Sequence, residues 1–159
     1  MKLLVIRHGE AEPLRESDAN RALTAKGISD AKALGNLISR EELDCHVCVV
    51  SPYIRARQTL DNILLASPAK PEIFVAEHIT PEDPVVSAYQ VLSAFSDYPS
   101  IMIVSHLPLV SRFIASLVDG TEATSSQYPM QTASMAVLET DILTPGNAHL
   151  RLLLSPPYS

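Results

Sequence analysis

Short apolar runs alternate along the chain with longer segments in which apolar residues recur at helical spacing. Continuous apolar runs favour buried strands, whereas repeats at every third and fourth residue favour amphipathic helices. Strands are expected at residues 2–7, 46–50, 71–75, 101–104, 133–138 and 149–154. Because strand and helix patterns alternate, the chain is predicted to be an α/β three-layer sandwich, with helices on both faces of a mostly parallel central sheet.

The starts of the predicted helices carry familiar signals. Thr24 is a residue type that is typical of an N-cap. From Val85 onward, apolar residues recur at the spacing of an amphipathic helix. Pro52 and Pro108 suit first helical positions, because proline lacks the N–H group that a helix start leaves unpaired. Helices are therefore expected to begin at these four places.

Composition narrows the class of protein. The 159 residues suffice for one buried core, and no repeat or linker divides them, so 1–159 are expected to form a single domain. The 12 basic and 18 acidic residues give a net charge of −6, and the absence of a basic cluster argues against nucleic acid binding. The apolar start is too short for a signal peptide, and two cysteines are too few for a disulfide scaffold. We therefore expect a cytoplasmic monomer that does not bind membranes.

Three predicted strands end on side chains suited to binding an anion. These are Arg7-His8-Gly9, Ser51 followed by Arg55, and Ser105-His106. Ligands of open α/β sheets bind beyond the carboxyl ends of the strands, so these groups converge if the strands are neighbours. Guanidinium forks hold phosphoryl oxygens in pairs, and helix N-termini also favour anions. The sequence therefore predicts a site for a compact dianion such as phosphate.

An imidazole in such a site can also react. A neutral nitrogen of His8 could attack phosphorus and form a phosphohistidine intermediate, which water then hydrolyses. The other ring nitrogen should then keep its proton on a backbone carbonyl. Gly9 would let the backbone approach the phosphate, while the arginines and His106 would stabilise charge on the oxygens. No magnesium-binding carboxylate cluster or glycine-rich nucleotide loop is visible, so we expect neither metal nor cofactor.

Four motifs, in order along the chain, resemble the histidine phosphatase superfamily, whose fold is phosphoglycerate mutase-like. They are Arg-His-Gly at 7–9, Asp-Ala-Asn-Arg-Ala-Leu-Thr-Ala-Lys-Gly at 18–27, Ser-Pro-Tyr-Ile-Arg-Ala-Arg-Gln-Thr at 51–59 and Ser-His-Leu-Pro-Leu-Val at 105–110. The second and fourth are most similar to the SixA-type phosphohistidine phosphatases, the smallest members. Together the four motifs indicate that resemblance far more strongly than Arg-His-Gly alone.

The resemblance implies a role for each matching residue. His8 would be the nucleophile, Arg7 and Arg55 would clamp the phosphoryl oxygens, and His106 would be the second imidazole of the pocket. Arg21 matches a further phosphate-binding arginine, although a structural ion pair with Asp18 is an alternative reading of that residue. Weaker candidates for phosphate contacts are Gly9, Ser51 and Leu107.

The chain also departs from larger members of the superfamily. In those members a long insertion lies between the segments that correspond to the motifs at 51–59 and 105–110 of this chain. The insertion supplies a cap and a glutamate proton donor. Here 50 residues separate Arg55 from His106, and one strand and two helical segments use most of them. No cap domain is therefore expected, and the site should be open. The candidates for a proton donor are Glu77, His78, Glu82 and Asp83.

An open site can accept a phosphorylated side chain that projects from another protein. Together with the absence of a cap, the resemblance in the four motifs implies a protein phosphohistidine phosphatase of two-component signalling, which works through phospho-His8. The resemblance implies a histidine-containing phosphotransfer domain of a sensor kinase, or a phosphocarrier protein, as the partner. A phosphatase of small phosphate esters is the first alternative, and a non-catalytic module that binds phosphohistidine is the second.

Cys45 and Cys48 form a C-x-x-C pair that needs a separate interpretation. A zinc site would require further ligands, and no second cysteine pair exists. A thioredoxin-like pair lies at a helix start, whereas this pair leads into a predicted strand. Both residues are therefore expected to be small buried hydrophobic groups.

Overall fold

A six-stranded sheet forms the middle layer of the computed structural model, which describes residues 1–158. The strands are β1 (Lys2–Arg7), β2 (Val47–Val50), β3 (Glu72–Val75), β4 (Ser100–Ser105), β5 (Met135–Thr140) and β6 (Ala148–Leu154). Their order across the sheet is β3-β2-β4-β1-β5-β6. The first four in this order run parallel to one another, β5 runs antiparallel to β1, and β6 runs antiparallel to β5 and so in the direction of β1. The prediction of a mostly parallel sheet is confirmed.

Helices cover both faces of the sheet. They are α1 (Ala25–Arg40), α2 (Ile54–Leu65), α3 (Val85–Ser93) and α4 (Leu109–Asp119). The buried side chains of α1 and α2 pack on one face, and those of α3 and α4 pack on the other. This arrangement confirms the predicted three-layer sandwich. No helix in the described part of the chain is long and apolar enough to cross a membrane.

Strand β1 shows how alternate side chains build the two cores. Leu3 and Val5 belong to the core under α3 and α4, whereas Leu4 and Ile6 belong to the core under α1 and α2. All four are fully buried, as expected for a central strand that is covered on both faces. The apolar pattern stops at Arg7, so polar side chains are found where the strand ends.

The register of the parallel strands brings the reactive residues together. Strand β1 pairs with β4 so that Arg7 lies opposite Ser105. Strand β2 pairs with the other edge of β4 and ends at the same level. The residues that continue these strands are His8, Ser51 and His106, and they consequently emerge side by side at the carboxyl edge of the sheet.

The helices that start at this edge begin slightly later than predicted. α2 begins at Ile54 with Tyr53 as its N-cap, so Pro52 lies in the preceding turn. Pro108 is the N-cap of α4 rather than its first residue. No side chain among residues 1–158 caps either N-terminus. The first N–H groups of both helices therefore have no side-chain partner in that part of the chain.

The connection from α2 to β4 is short. Among the described residues it contains β3, the loop 76–84 and α3, and no additional domain. The prediction that the fold lacks a cap is thereby confirmed. No additional helix or strand from this segment lies over the carboxyl edge of the sheet, although the loop 76–84 contacts the end of β4.

Gly35 lets α1 and α2 pack closely. A Cβ atom at this position would lie 2.3 Å from the backbone oxygen of Ile63. We therefore expect Gly35→Ala to lower the free energy of unfolding by about 1–3 kcal/mol, despite the better helix propensity of alanine. Urea denaturation measures this change, with Asn36→Ala on the exposed side of the same helix as the control. Equal stability of the two variants would contradict the close packing.

The two cysteines are buried in the sheet and its flanking turn. Both thiols are free, and Cys48 lies in the core between the sheet and α1 and α2. Burial raises the pKa of Cys45 to about 12, with smaller contributions from its neighbours. Burial raises the pKa of Cys48 as well. Both are therefore protonated packing residues at neutral pH.

Candidate active site

His8 follows β1 and presents one ring nitrogen to the site. The side chain is 7% exposed, and Nδ1 lies 2.7 Å from the carbonyl oxygen of Gly9. A carbonyl oxygen can only accept, so Nδ1 carries the proton. The other nitrogen, Nε2, accepts a hydrogen bond from Arg55 Nε at 3.2 Å. Both contacts select the tautomer with a lone pair on Nε2, which is the form that a nucleophile requires.

The electrostatic surroundings keep this imidazole neutral. Burial lowers the pKa of His8 to about 4. The hydrogen bond to Gly9 opposes this effect, and the positive charges of Arg55, Arg7 and Arg21 add to the lowering. The ring therefore retains its lone pair at neutral and mildly acidic pH.

This charge state predicts an unusual titration. NMR of the ring signals in the free protein should show His8 gaining its second proton near pH 4, compared with about 6.5 for an unperturbed histidine. The unfolded chain binds this proton more readily, so the free energy of unfolding should fall as the pH drops between these two values. A His8 midpoint near that of an unperturbed histidine would contradict the buried, neutral ring.

All three guanidinium nitrogens of Arg55 donate hydrogen bonds inside the site. It is the second residue of α2, and its side chain is 4% exposed. Nη1 donates to the backbone oxygen of Asp18 at 2.6 Å, and Nη2 donates to Asp18 Oδ2 at 3.1 Å. Its guanidinium carbon lies 5.0 Å from the centre of the Tyr53 ring. The orientation of Arg55 toward His8 is therefore set from several sides.

Asp18 connects Arg55 to a second arginine. Arg21 donates from Nη1 to Asp18 Oδ1 at 3.0 Å and from Nε to the backbone oxygen of Glu12 at 2.7 Å. Desolvation alone would raise the pKa of Asp18, but the hydrogen bonds from Arg21 and Arg55 hold it below its ordinary value. Asp18 is therefore ionised. The ion pair between Arg21 and Asp18 is present, and it also brings Arg21 to the edge of the site.

Arg7 approaches from the end of β1. Its Nη1 donates to the backbone oxygen of Met130 at 2.9 Å. Burial lowers the pKa of Arg7, and the nearby charge of Arg55 lowers it further. The side chain also lines an open recess of about 460 Å³ together with Leu107 and Pro108. Leu107, one of the weaker candidates, thus lines the same recess as Arg7.

His106 follows β4 and faces His8. The centres of the two imidazole rings are 5.0 Å apart. His106 Nε2 lies 2.7 Å from the hydroxyl of Ser51, and the edge of Tyr53 packs on the ring at 5.0 Å. Burial lowers the pKa of His106 to about 2, and the neighbouring His8 lowers it further. Ser51 is fully buried and holds this ring in place.

Two nitrogen atoms of the site lack partners. Among the described residues, Arg7 Nε and His106 Nδ1 are the buried side-chain nitrogens or oxygens without a hydrogen bond. Buried polar atoms are nearly always satisfied. The Ser51 hydroxyl can donate to His106 Nε2, which leaves the proton on Nδ1. Both orphaned nitrogens can then donate to an oxyanion bound between the arginines and His8.

The structure changes the role expected for Gly9. Its N–H group already donates to Thr59 Oγ1 at 2.9 Å, so this group is not free to bind phosphate. A Cβ atom on Gly9 would come within 2.9 Å of the backbone oxygen of Gly27. The absence of a side chain therefore allows close packing against the start of α1, rather than an approach of the backbone to a ligand.

The candidate proton donors lie on the neighbouring loop. Ser105 Oγ donates to the backbone oxygen of Ile79 at 2.7 Å, which ties this loop to the end of β4. The Asp83 carboxylate accepts hydrogen bonds from Thr80 N and Oγ1, whereas the other three candidates are exposed. In the described part of the chain, no hydrogen bond joins any of the four to His8. The role of proton donor therefore stays a prediction for all four candidates, which are Glu77, His78, Glu82 and Asp83.

Several supporting residues were not singled out from the sequence. Thr59 accepts from Gly9 and donates to the backbone oxygen of Arg55 at 2.7 Å. Gln58 Oε1 accepts from the N–H of Leu23 at 2.7 Å, which anchors the segment that carries Arg21. Gln58 and Thr59 stand in the motif at 51–59, so the motif contained a signal for them. Tyr53 stands in the same motif between Ser51 and Arg55.

The amino-acid sequence of the chain is similar to those of known phosphatases. Residues 3–76 match the family model of the histidine phosphatase superfamily (branch 1). The phosphohistidine phosphatase SixA of Escherichia coli (strain K12) is 31% identical over 160 residues, which cover 98% of this chain and 94% of that protein. A SixA homolog of Haemophilus influenzae is 34% identical over 145 residues, which cover 85% of this chain and 87% of the homolog.

The fold of the chain is also similar to that of a solved phosphatase structure. A solved structure of the protein histidine phosphatase SixA complexed with tungstate superposes with a TM-score of 0.87 at 28% sequence identity, and the match covers 98% of this chain and 97% of that chain. The chain therefore belongs to the histidine phosphatase superfamily. The resemblance found in the four motifs is confirmed.

Proposed function

We propose that this protein hydrolyses phosphohistidine on another protein, with residues 1–159 acting as a single domain. The observation that carries this proposal is the neutral His8 ring, whose Nε2 lone pair faces Arg55 among orphaned donor groups. The similarity to two phosphohistidine phosphatases over most of their length supports the same reaction class. In this proposal the enzyme is a hydrolase that needs no metal or cofactor.

The proposed reaction proceeds in two transfers. First, the Nε2 lone pair of His8 attacks phosphorus, the new N–P bond forms, and the P–N bond of the substrate breaks. The departing substrate imidazole takes up a proton from solvent. Next, water attacks the phosphorus of phospho-His8, the bond between Nε2 and phosphorus breaks, and the proton lost by the water returns to solvent. Inorganic phosphate leaves, and the neutral ring is restored. Arg7, Arg55 and His106 stabilise the phosphoryl oxygens during both steps.

The shape of the site supports a protein substrate. Two open recesses of about 460 Å³ each flank the reactive cluster, one beside Arg21 and one beside Arg7. The recess beside Arg7 is lined by both apolar and polar residues, and Tyr128 and Met130 are among the apolar ones. A phosphohistidine that projects from a protein surface could reach His8 while its neighbours occupy these recesses. The proposed substrate is a histidine-containing phosphotransfer domain or a phosphocarrier protein, and the proposed enzyme acts on it as a monomer in the cytoplasm.

The leaving group also suits the site. An imidazole is a far better leaving group than an alkoxide, so it depends less on a general acid. A site with weak general-acid assistance would favour phosphohistidine over small phosphate esters. Glu77, His78, Glu82 and Asp83 remain the residues to test as donors.

The experiment compares two substrates under the same conditions. Phosphate release is measured from a histidine-phosphorylated phosphotransfer domain and from a small phosphate ester. Fast release from the phosphoprotein with little ester turnover is expected. Efficient ester turnover with an untouched phosphoprotein would make the protein a small-molecule phosphatase. Tight binding of the phosphoprotein without any phosphate release would instead make it a non-catalytic module.

A further inference from the structure

A carboxylate lies in the middle of the arginine cluster. Asp18 Oδ2 accepts from Arg55 Nη2 at 3.1 Å, and Asp18 Oδ1 accepts from Arg21 Nη1 at 3.0 Å. Both arginines are candidates for binding the phosphoryl group. The carboxylate therefore already occupies donors that an incoming oxyanion would use.

The geometry of Arg55 defines this competition. Nε and Nη2 share one edge of a guanidinium, and oxyanions bind that edge through two parallel hydrogen bonds. Arg55 Nε lies 3.2 Å from His8 Nε2, where the phosphoryl group must attach. A phosphoryl group on His8 would therefore contact the same edge whose Nη2 is bound to the Asp18 carboxylate. Two anions at such close range repel each other.

The carboxylate is not required to hold Arg55 in place. Arg55 Nη1 donates to the backbone oxygen of Asp18, a contact that any residue at this position can provide. Packing on Tyr53 and the hydrogen bond to His8 orient the same side chain. The Asp18 side chain is also 45% exposed, so its carboxylate can turn into solvent without opening the core.

We propose that the Asp18 carboxylate is a built-in counter-anion of the phosphate site, which competes with bound oxyanions for Arg55 and Arg21. This inference rests on the proposed function for its meaning in catalysis. Because the carboxylate returns to the arginines when the site empties, it keeps the binding of inorganic phosphate, the reaction product, weak. The phosphoprotein overcomes this competition with additional contacts outside the phosphate site.

The test measures binding of inorganic phosphate by calorimetry to the wild-type protein, Asp18→Asn and Asp18→Ala. Both variants should bind phosphate about tenfold more tightly, the ratio expected when one charge-assisted hydrogen bond no longer competes. Glu16→Gln is the matched control, because it removes the same charge from an exposed position in the same loop. The control should change the affinity by less than about twofold.

The outcomes separate this inference from the proposed function. Weaker or unchanged phosphate binding by both Asp18 variants would overturn the inference, since the carboxylate would then position the arginines instead of competing for their donors. An equal gain in Glu16→Gln would also overturn it, because general electrostatics would explain the effect. Tighter binding by the Asp18 variants, in a protein that leaves the phosphohistidine substrate intact, would uphold the inference and overturn the proposed function.

Discussion

His8→Asn should lower the rate of phosphate release from a histidine-phosphorylated protein by roughly 10⁴-fold or more, because removal of a nucleophile leaves only binding and charge stabilisation. Asparagine is close to histidine in size and cannot form the phosphoryl intermediate. The measurement is the initial rate of phosphate release at saturating substrate. Binding of the phosphoprotein should persist, since the arginines around the position are unchanged.

His149→Asn is the matched control for this variant. His149 is an exposed residue of β6, away from the carboxyl edge that carries the site. Its replacement should leave the rate within about twofold of wild type, because surface changes away from such features have small effects. A His8→Asn variant that retained a tenth of the wild-type rate would refute the role of His8 as the nucleophile.

Arg55→Ala should lower kcat by about 10²–10³-fold, the loss seen when one donor to a developing oxyanion is removed. Arg55→Lys should recover little of this loss, because an ammonium group cannot reproduce the contacts of Nε and Nη2 along one edge. The measurement is kcat with the phosphoprotein, together with a check that the variants remain folded.

The chain offers a close control for this change. Arg57 lies two residues further along α2 and is exposed, whereas Arg55 is buried beside His8. Arg57→Ala removes the same charge from the same helix and should leave kcat within about twofold of wild type. A loss below tenfold in Arg55→Ala would place Arg55 at the periphery of the reaction. An equal loss in both variants would indicate a general effect of charge.

Much of the site could be predicted because it lies at the ends of strands. Arg7 and His8 end the apolar run of β1, and Ser105 and His106 end that of β4. Such interruptions are visible in the sequence. Their convergence depended on the order of the strands and on register, which a single sequence does not encode locally. The resemblance supplied that missing information.

The contacts that the sequence did not reveal are those made by backbone atoms and by loops. Arg7 binds the carbonyl of Met130, more than 100 residues away in the chain. Every residue has a carbonyl group, so no residue type marks this position. The position of Asp18 at the junction of two arginines depends on how its loop crosses α2. Sequence reasoning found only its ion pair with Arg21.

Glycine positions illustrate the same limit. The motif at 7–9 indicates that Gly9 is special, but two physical reasons for a glycine produce the same letter in the sequence. The structure selects packing against Gly27, because a side chain would collide with its backbone. The sequence was also ambiguous at the start of α2. Pro52 suits both the first position of a helix and the turn before a helix, and the structure places it in the turn.

The most direct test of the account is to follow the phosphoryl group itself. The enzyme is mixed with a phosphotransfer domain that carries radiolabelled phosphohistidine, and the reaction is quenched with alkali within its first turnover. Phosphohistidine survives alkaline conditions, so the labelled residue can be mapped by peptide analysis. We expect the label to appear on His8 before free phosphate accumulates, and to be absent from the His8→Asn protein. Release of phosphate without any label on His8 would contradict the covalent mechanism.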